Sequence, residues 1–176
     1  MVRSLVFDAT APDFAEQWQR PDWQLLQNSS VHRFRDDDKM NQEVMGLAKI
    51  DYVIHQFDAG NWLHEDDMHT ALTAELNFPD YYGRNLDALN DAFHDVAEYR
   101  YGSDPHATGT VLALRQYESF TSRNSTLAFT FLDLFAINAR YGLLVGHPML
   151  CLISATSEFP AVGATPVILS PTPMDD

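Results

Sequence analysis

The stretch HPMLCLISA (147–155) decides the class of fold, because it is a near-continuous run of apolar residues. A strand with one face in water alternates apolar and polar residues, whereas a strand covered on both faces does not. Coverage on both faces is typical of the parallel sheets in α/β proteins. The stretch therefore predicts a strand within a parallel sheet.

Three stretches upstream predict further strands. TVLALRQYESF (110–120) predicts a buried strand that runs into a short helix, and DYVIHQFDA (51–59) is rich in β-branched and aromatic residues. VHRFR (31–35) alternates apolar and basic residues. Because helical patterns separate these stretches, we expect an α/β fold: a small parallel sheet, with right-handed crossovers, packed with helices.

Three periodic apolar patterns predict helices between the strands. Their apolar positions are Met40, Val44 and Leu47; Met68, Leu72 and Leu76; and Leu127, Phe131, Leu134 and Phe135. We expect Asp66 or Asp67 to cap the second helix. We expect Asn124 or Ser125 to cap the third, with Gly142 beyond its C-terminal end.

The charge of the chain favours a basic protein partner. Its 176 residues carry a formal net charge of −14, which disfavours binding to nucleic acid or to an anionic membrane surface. An acidic surface attracts basic partners, although solubility alone is an equally good explanation of the charge.

The cysteine content and the N-terminal sequence predict a cytoplasmic location. Cys151 is the one cysteine, so no internal disulfide is possible, and its apolar neighbours predict a buried, inert thiol. The apolar stretch near the N-terminus is short and interrupted by Asp8, unlike a signal peptide. We also expect no membrane span, which needs ~20 apolar residues.

The segment FPDYYGRNLDALNDAFHD (78–95) predicts a turn followed by a helix with two different faces. One face is an apolar stripe of Leu86, Leu89, Phe93 and Val96. The other carries Asp87, Asn90, Asp91 and His94, and its two carboxylates lie about 5–6 Å apart at their Cβ atoms. Because like charges at this spacing weaken a helix slightly, the pair does not serve folding. On spacing alone, a solvated face is the simpler interpretation.

The turn before this helix favours a binding surface instead. Tyr81 and Tyr82 offer large, rigid contact area with a polar tip, and Gly83 lets backbone approach a ligand closely. Aromatic anchors beside a rigid anionic face are typical of protein-binding surfaces. We expect Tyr82, more than Tyr81, to pack under the turn.

Several stretches, in order, resemble the barstar family, which inhibits barnase-type secreted ribonucleases. They are DMHTALTAELNFPDYYGRNLDAL (67–89), VLALRQYESF (111–120), LDLFAINARYG (132–142) and PMLCLIS (148–154). The resemblance extends from about residue 51 to 155 and is most specific in the YYG-N-LDAL core.

The resemblance divides the chain into three predicted parts. An N-terminal extension (1–50) adds one strand and one helix to the sheet. A barstar-like domain (51–155) supplies three strands, and a Pro-rich tail (156–176) follows, in which VILS (167–170) is a candidate edge strand.

The resemblance implies a stoichiometric inhibitor that blocks the active site of a basic ribonuclease or nuclease toxin with its acidic helix. By position, Asp91 enters the phosphate-binding pocket and Asp87 contacts the same basic surface. Tyr81 and Gly83 match the loop that meets the substrate-base region, and Asn85 matches the helix start. No cofactor, metal or enzymatic activity is implied. The predicted protein-binding residues are Tyr81, Gly83, Arg84, Asn85, Asp87, Asn90, Asp91 and His94.

The chain departs from the family pattern at three positions. Asn90 stands where barstar has a tryptophan, Ile137 where it has a glutamate, and Arg84 where it has an acidic residue. We expect Arg84 to place a positive charge beside the acidic face, and Arg84, Asn90 and His94 to set specificity. A changed partner or weaker inhibition of barnase would follow, with loop 99–109 as a candidate source of replacement contacts.

Two other functions remain open at this stage. A non-inhibitory interaction or regulatory module of the same fold could bind another basic protein, since fold does not fix function. An enzyme could hold a metal ion with Asp87, Asp91 and His94, or with HEDD (64–67). However, one helix face supplies only half a coordination shell, and the sequence has no nucleophile elbow or phosphate-binding glycine loop.

Overall fold

Four parallel strands form one sheet in the order β1-β4-β3-β2. The computed structural model describes residues 7–163, so the predicted edge strand at 167–170 lies outside the described residues. The strands are β1 (Val31–Phe34), β2 (Tyr52–Asp58), β3 (Gly109–Arg115) and β4 (Met149–Ser154). All of β4 is buried, as HPMLCLISA predicts. The predicted α/β fold is confirmed, including the fourth, N-terminal strand.

Seven helices are described between and around these strands. They are α1 (Phe14–Gln17), α2 (Pro21–Leu26), α3 (Asp37–Ala48), α4 (Glu65–Leu76), α5 (Leu86–Ala97), α6 (Tyr117–Arg123) and α7 (Ser125–Leu144), with a 3₁₀ turn at Ala59–Asn61. Pro21 opens α2, where its missing N–H has no helical partner to lose. Asn124 caps α7 by accepting a 3.0 Å hydrogen bond from the backbone N of Leu127, as predicted.

The two faces of the sheet are covered by different parts of the chain. Helices α4 to α7 bury the larger core on one face. Edge-to-face aromatic contacts there join Trp62 to Phe120 and Phe93 to Phe131. The N-terminal helix α3 covers the other face with apolar residues that pack against β3 and β4. Burial of each such side chain contributes roughly 1.5–3 kcal/mol. The sheet is thus closed on both sides, as a parallel sheet requires.

The start of α4 differs from the prediction. The helix begins at Glu65, with His64 at the N-cap, so neither Asp66 nor Asp67 is the cap residue. The carboxylate of Asp67 nevertheless accepts hydrogen bonds from the backbone N of Leu63 (3.0 Å) and His64 (2.8 Å). An acidic residue therefore still stabilises the start of α4, but from the first turn of the helix and not from the cap position.

The prediction that Gly142 lies beyond the C-terminal end of α7 is wrong, because Gly142 lies inside the helix. A Cβ at this position would come within 2.6 Å of the carbonyl oxygen of His147. The glycine therefore permits close approach of the helix to the chain that returns into β4, rather than ending the helix.

By length and composition, α7 contradicts the expectation that no segment approaches a membrane span. Its 20 residues include a window with a mean hydropathy of 1.3, and half of that window is buried within the protein. Such a helix is weak evidence for a membrane span, because the core helix of a globular domain has the same composition. Here α7 packs in the larger core.

Candidate protein-binding site

Asn85 fixes both the start of α5 and the turn before it. Its Oδ1 accepts a 2.9 Å hydrogen bond from the backbone N of Ala88, and its Nδ2 donates to the carbonyl of Gly83 at 3.2 Å. On the inner face of α5, Phe93 makes edge-to-face contacts with Phe131 and Phe135. The helix is therefore held firmly from its start and from behind.

Asp87 and Asp91 lie on the outer face of this fixed helix, and both are exposed. Within residues 7–163, neither side chain makes an ion pair or a hydrogen bond. The helix dipole favours Asp87 in the first turn, but it does not replace a cationic partner. The two like charges therefore lie one helical turn apart and face solvent.

The guanidinium of Arg84, which was expected to add a positive charge beside the acidic face, is paired with Asp66 on α4. Its Nε donates to the Oδ1 of Asp66 at 2.9 Å, and its Nη2 donates to the Oγ1 of Thr70 at 2.6 Å. The backbone of Arg84 has a φ of +48°, which is costly for a residue with a Cβ. The guanidinium joins the turn to α4, and its charge is balanced there.

The two tyrosines of the turn have different surroundings. Tyr82 is half-buried against Phe78, and its hydroxyl lies 2.6 Å from Nδ1 of the buried His69. Burial raises the pKa of Tyr82 and lowers the pKa of His69, so both side chains favour their neutral forms. Tyr81 is 82% exposed, and its hydroxyl lies 2.9 Å from that of Tyr101. As expected, Tyr82 is the one that packs under the turn.

Asn90 links α5 to α7. Its Oδ1 accepts a 3.0 Å hydrogen bond from the Nδ2 of Asn138, a residue that is only 4% exposed. Asn138 also donates to the carbonyl of Leu134 at 2.9 Å. Sequence reasoning missed Asn138, although an amide on the apolar side of α7 was a usable signal, because buried amides need partners.

His94 belongs to a small polar network at the C-terminal end of α5. Its ring lies 4.3 Å from that of Tyr141, centroid to centroid, and its Nε2 lies 3.6 Å from the carboxylate of Glu98. The hydroxyl of Tyr141 donates to Glu98 at 3.0 Å, and this bond raises the pKa of Tyr141. Sequence reasoning did not identify Tyr141 or Glu98.

The predicted site residues on α5 have different surroundings. Asn90 and His94 contact α7, whereas Asp95, on the other flank of α5, pairs with Arg100 in the following loop at 2.8 Å. At about 100° per residue, Asp87 and Asp91 lie between these two flanks. Asp87 and Asp91, which have no partner among residues 7–163, thus form a ridge between two anchored borders.

A metal site finds no support in this arrangement. Within residues 7–163, no group of three or more His, Cys, Asp or Glu side chains could hold a metal ion. In the HEDD segment, Asp66 is paired with Arg84 and Asp67 accepts backbone hydrogen bonds. The thiol of Cys151 is fully buried, and burial raises its pKa, which makes it a poor nucleophile.

The comparison with protein families gives one match. A family described as Barstar (barnase inhibitor) matches residues 52–154, more than half of the chain. The match begins with β2 and ends with β4, so it includes α4 to α7 and every predicted site residue. Helices α1 to α3 and strand β1 precede it. No curated protein matches the chain.

Proposed function

Because this chain belongs to the barstar family, we propose that it is a stoichiometric inhibitor that blocks the active site of a basic ribonuclease or nuclease toxin. The observation that carries the proposal is a pair of exposed carboxylates on a firmly held helix, Asp87 and Asp91, which make no ion pair or hydrogen bond with residues 7–163. A net charge of −14 favours encounter with a basic protein.

The carboxylate pair suits an active site that binds phosphate. Carboxylate and phosphate oxygens both accept short, charge-assisted hydrogen bonds from Arg and Lys side chains. In the proposed complex, Asp91 occupies the phosphate position and Asp87 contacts the same cationic surface. Docking supplies the positive charge that this helix face lacks and removes the repulsion between the two aspartates. Because the helix is already formed, little conformational entropy is lost on binding.

The remaining predicted residues hold or border this ridge. Asn85 positions it, Tyr81 and Gly83 border its N-terminal end, and Asn90 and His94 join it to α7. In this proposal Arg84 acts through its contact with α4, by fixing the turn. We place the complex in the reducing cytoplasm of the producing cell, which suits a chain whose one cysteine is a buried free thiol.

Inhibition of a purified ribonuclease tests the proposal directly. We expect the chain to abolish cleavage of a fluorogenic RNA by barnase or another basic ribonuclease of a test panel, with an end point at one inhibitor per enzyme. The association rate should fall steeply as salt rises from low to physiological concentration, because exposed charges steer the encounter. A panel that stays fully active at saturating inhibitor would contradict the proposal.

The borders of the ridge support a second candidate, a non-inhibitory module that binds another basic protein. The amide oxygen of Asn90 is occupied by Asn138, and Ile137 on α7 is 44% exposed and apolar. At these two positions the surface beside the aspartates departs from the family pattern. In the same titration, a complex that forms while the enzyme continues to cleave RNA would favour this function.

A further inference from the structure

The loop between α5 and β3 (residues 98–108) starts as an anchored segment. The guanidinium of Arg100 pairs with Asp95 at 2.8 Å and with Glu98 at 3.0 Å. The backbone N of Arg100 also donates to the carbonyl of Asp95 at 2.9 Å. Through these contacts the loop turns back along the flank of α5 that carries Asp95.

Gly102 fixes the next step of the loop against α4 and β2. Its carbonyl oxygen lies 2.5 Å from Nε2 of the buried His55. It has a φ of +62°, and a Cβ there would come within 2.5 Å of Cδ2 and 3.1 Å of Cα of Leu76. Only glycine meets both the conformation and the close contact without strain. The residue just before it, Tyr101, is therefore presented in a defined direction.

Tyr101 contacts Tyr81, whose ring is the most exposed aromatic ring of the candidate site. Its own ring is half-buried and lies edge-on to Phe78, 6.2 Å between centroids. Its hydroxyl lies 2.9 Å from the hydroxyl of Tyr81. Within residues 7–163, the 82% exposed Tyr81 side chain has no other hydrogen bond or ring contact. The direction of the Tyr81 ring thus depends on Tyr101.

We propose that Tyr101 is a positioning residue of the interface, which fixes the ring of Tyr81 for contact with the nuclease. The inference rests on the proposed function. A tyrosine ring fixed before binding loses less rotamer freedom in the complex than a mobile one. Its benefit appears in a slower dissociation rate, because diffusional encounter depends on charge instead.

The test measures dissociation of the complex with the ribonuclease of the panel that the wild type inhibits, with barnase tested first. Tyr101→Phe removes the hydroxyl but keeps the ring against Phe78. We expect dissociation about fivefold faster, as for loss of one neutral hydrogen bond, with the association rate and Tm unchanged. In a Tyr81→Ala background, Tyr101→Phe should have no further effect. Tyr99→Phe is the matched control, since its hydroxyl donates to the carbonyl of Gly146 instead.

A wild-type dissociation rate in Tyr101→Phe, or an effect of Tyr101→Phe that persists in the Tyr81→Ala background, would overturn the inference. A wild-type chain that inhibits no ribonuclease contradicts the proposed function itself, and the inference with it.

Discussion

The first turn of α4 and the outer face of α5 both carry clustered carboxylates, but among residues 7–163 only those of α4 have partners. Glu65 lies 3.4 Å from His69, Asp66 pairs with Arg84, and Asp67 accepts two backbone hydrogen bonds. On α5, the described part of the chain offers Asp87 and Asp91 no such contact.

The comparison separates two uses of the same residue type. Carboxylates that close a helix start or join two elements stabilise the fold, and their oxygens already have partners there. Carboxylates that stand together without a partner contribute nothing comparable and remain available for an external cation. Substitutions in the two clusters should therefore affect different measurements.

The largest effect is expected on α5, from Asp91→Ala. Removing one partner of a charge pair that becomes buried in a complex costs 2–5 kcal/mol or more, so a loss of about 3 kcal/mol weakens binding to the inhibited ribonuclease roughly 150-fold. Because the Asp91 side chain makes no ion pair or hydrogen bond within residues 7–163, the Tm should stay near that of the wild type. Calorimetric titration and thermal unfolding measure the two quantities on one sample.

Asp38→Ala controls for the loss of one negative charge. Asp38 is exposed in the first turn of α3, on the other side of the sheet. We expect it to lower the association rate slightly through weaker steering and to leave the dissociation rate unchanged. Equal affinities for the Asp38 and Asp91 variants would show that net charge, not the contact, drives binding.

The opposite result is expected on α4, from Asp67→Ala. The substitution leaves the backbone N–H groups of Leu63 and His64 without their acceptor, which costs about 1 kcal/mol for a helix cap. For a chain of this length, the Tm should fall by about 2–4 °C. Affinity for the ribonuclease should change only as much as in the Asp38 variant. A loss of binding as large as that of Asp91→Ala would end the distinction between the clusters.

Local rules in the sequence predicted the fold well. Apolar runs, alternation, and β-branched or aromatic residues identified all four strands of the described sheet. The two faces of α5 were visible in residues 85–96 before any contact was known. Asn85 and Asn124 cap their helices as a local preference dictates. Each of these features depends on neighbours within one or two turns of chain.

The contacts that shape the site could not be predicted, because they join distant segments. Asn90 meets Asn138, and Tyr81 meets Tyr101, only after α5, α7 and the α5–β3 loop have packed. Gly142 was misinterpreted for the same reason. Glycine often ends a helix, but here it lets α7 pack closely against the chain at His147. Partner selection depends on such contacts, so the sequence predicts an acidic binding helix more firmly than its specificity.

The smallest expected effect comes from Arg84→Ala, which removes the cationic partner of Asp66 on α4. Asp66 then lacks an ion pair, as Asp87 and Asp91 do within residues 7–163. The Asp66 side chain is 77% exposed and that of Arg84 38% exposed, so the lost ion pair should cost only about 0.2–1 kcal/mol of stability. Asp66 then adds an unbalanced negative charge near the turn, and we expect a modestly faster association with the basic ribonuclease at low salt. Stopped-flow measurements at two salt concentrations resolve the change, because steering by exposed charges is screened at high salt. The opposite result, slower association and faster dissociation, would show that the guanidinium of Arg84 itself contacts the nuclease. Arg84 would then leave Asp66 and pair with the nuclease on binding.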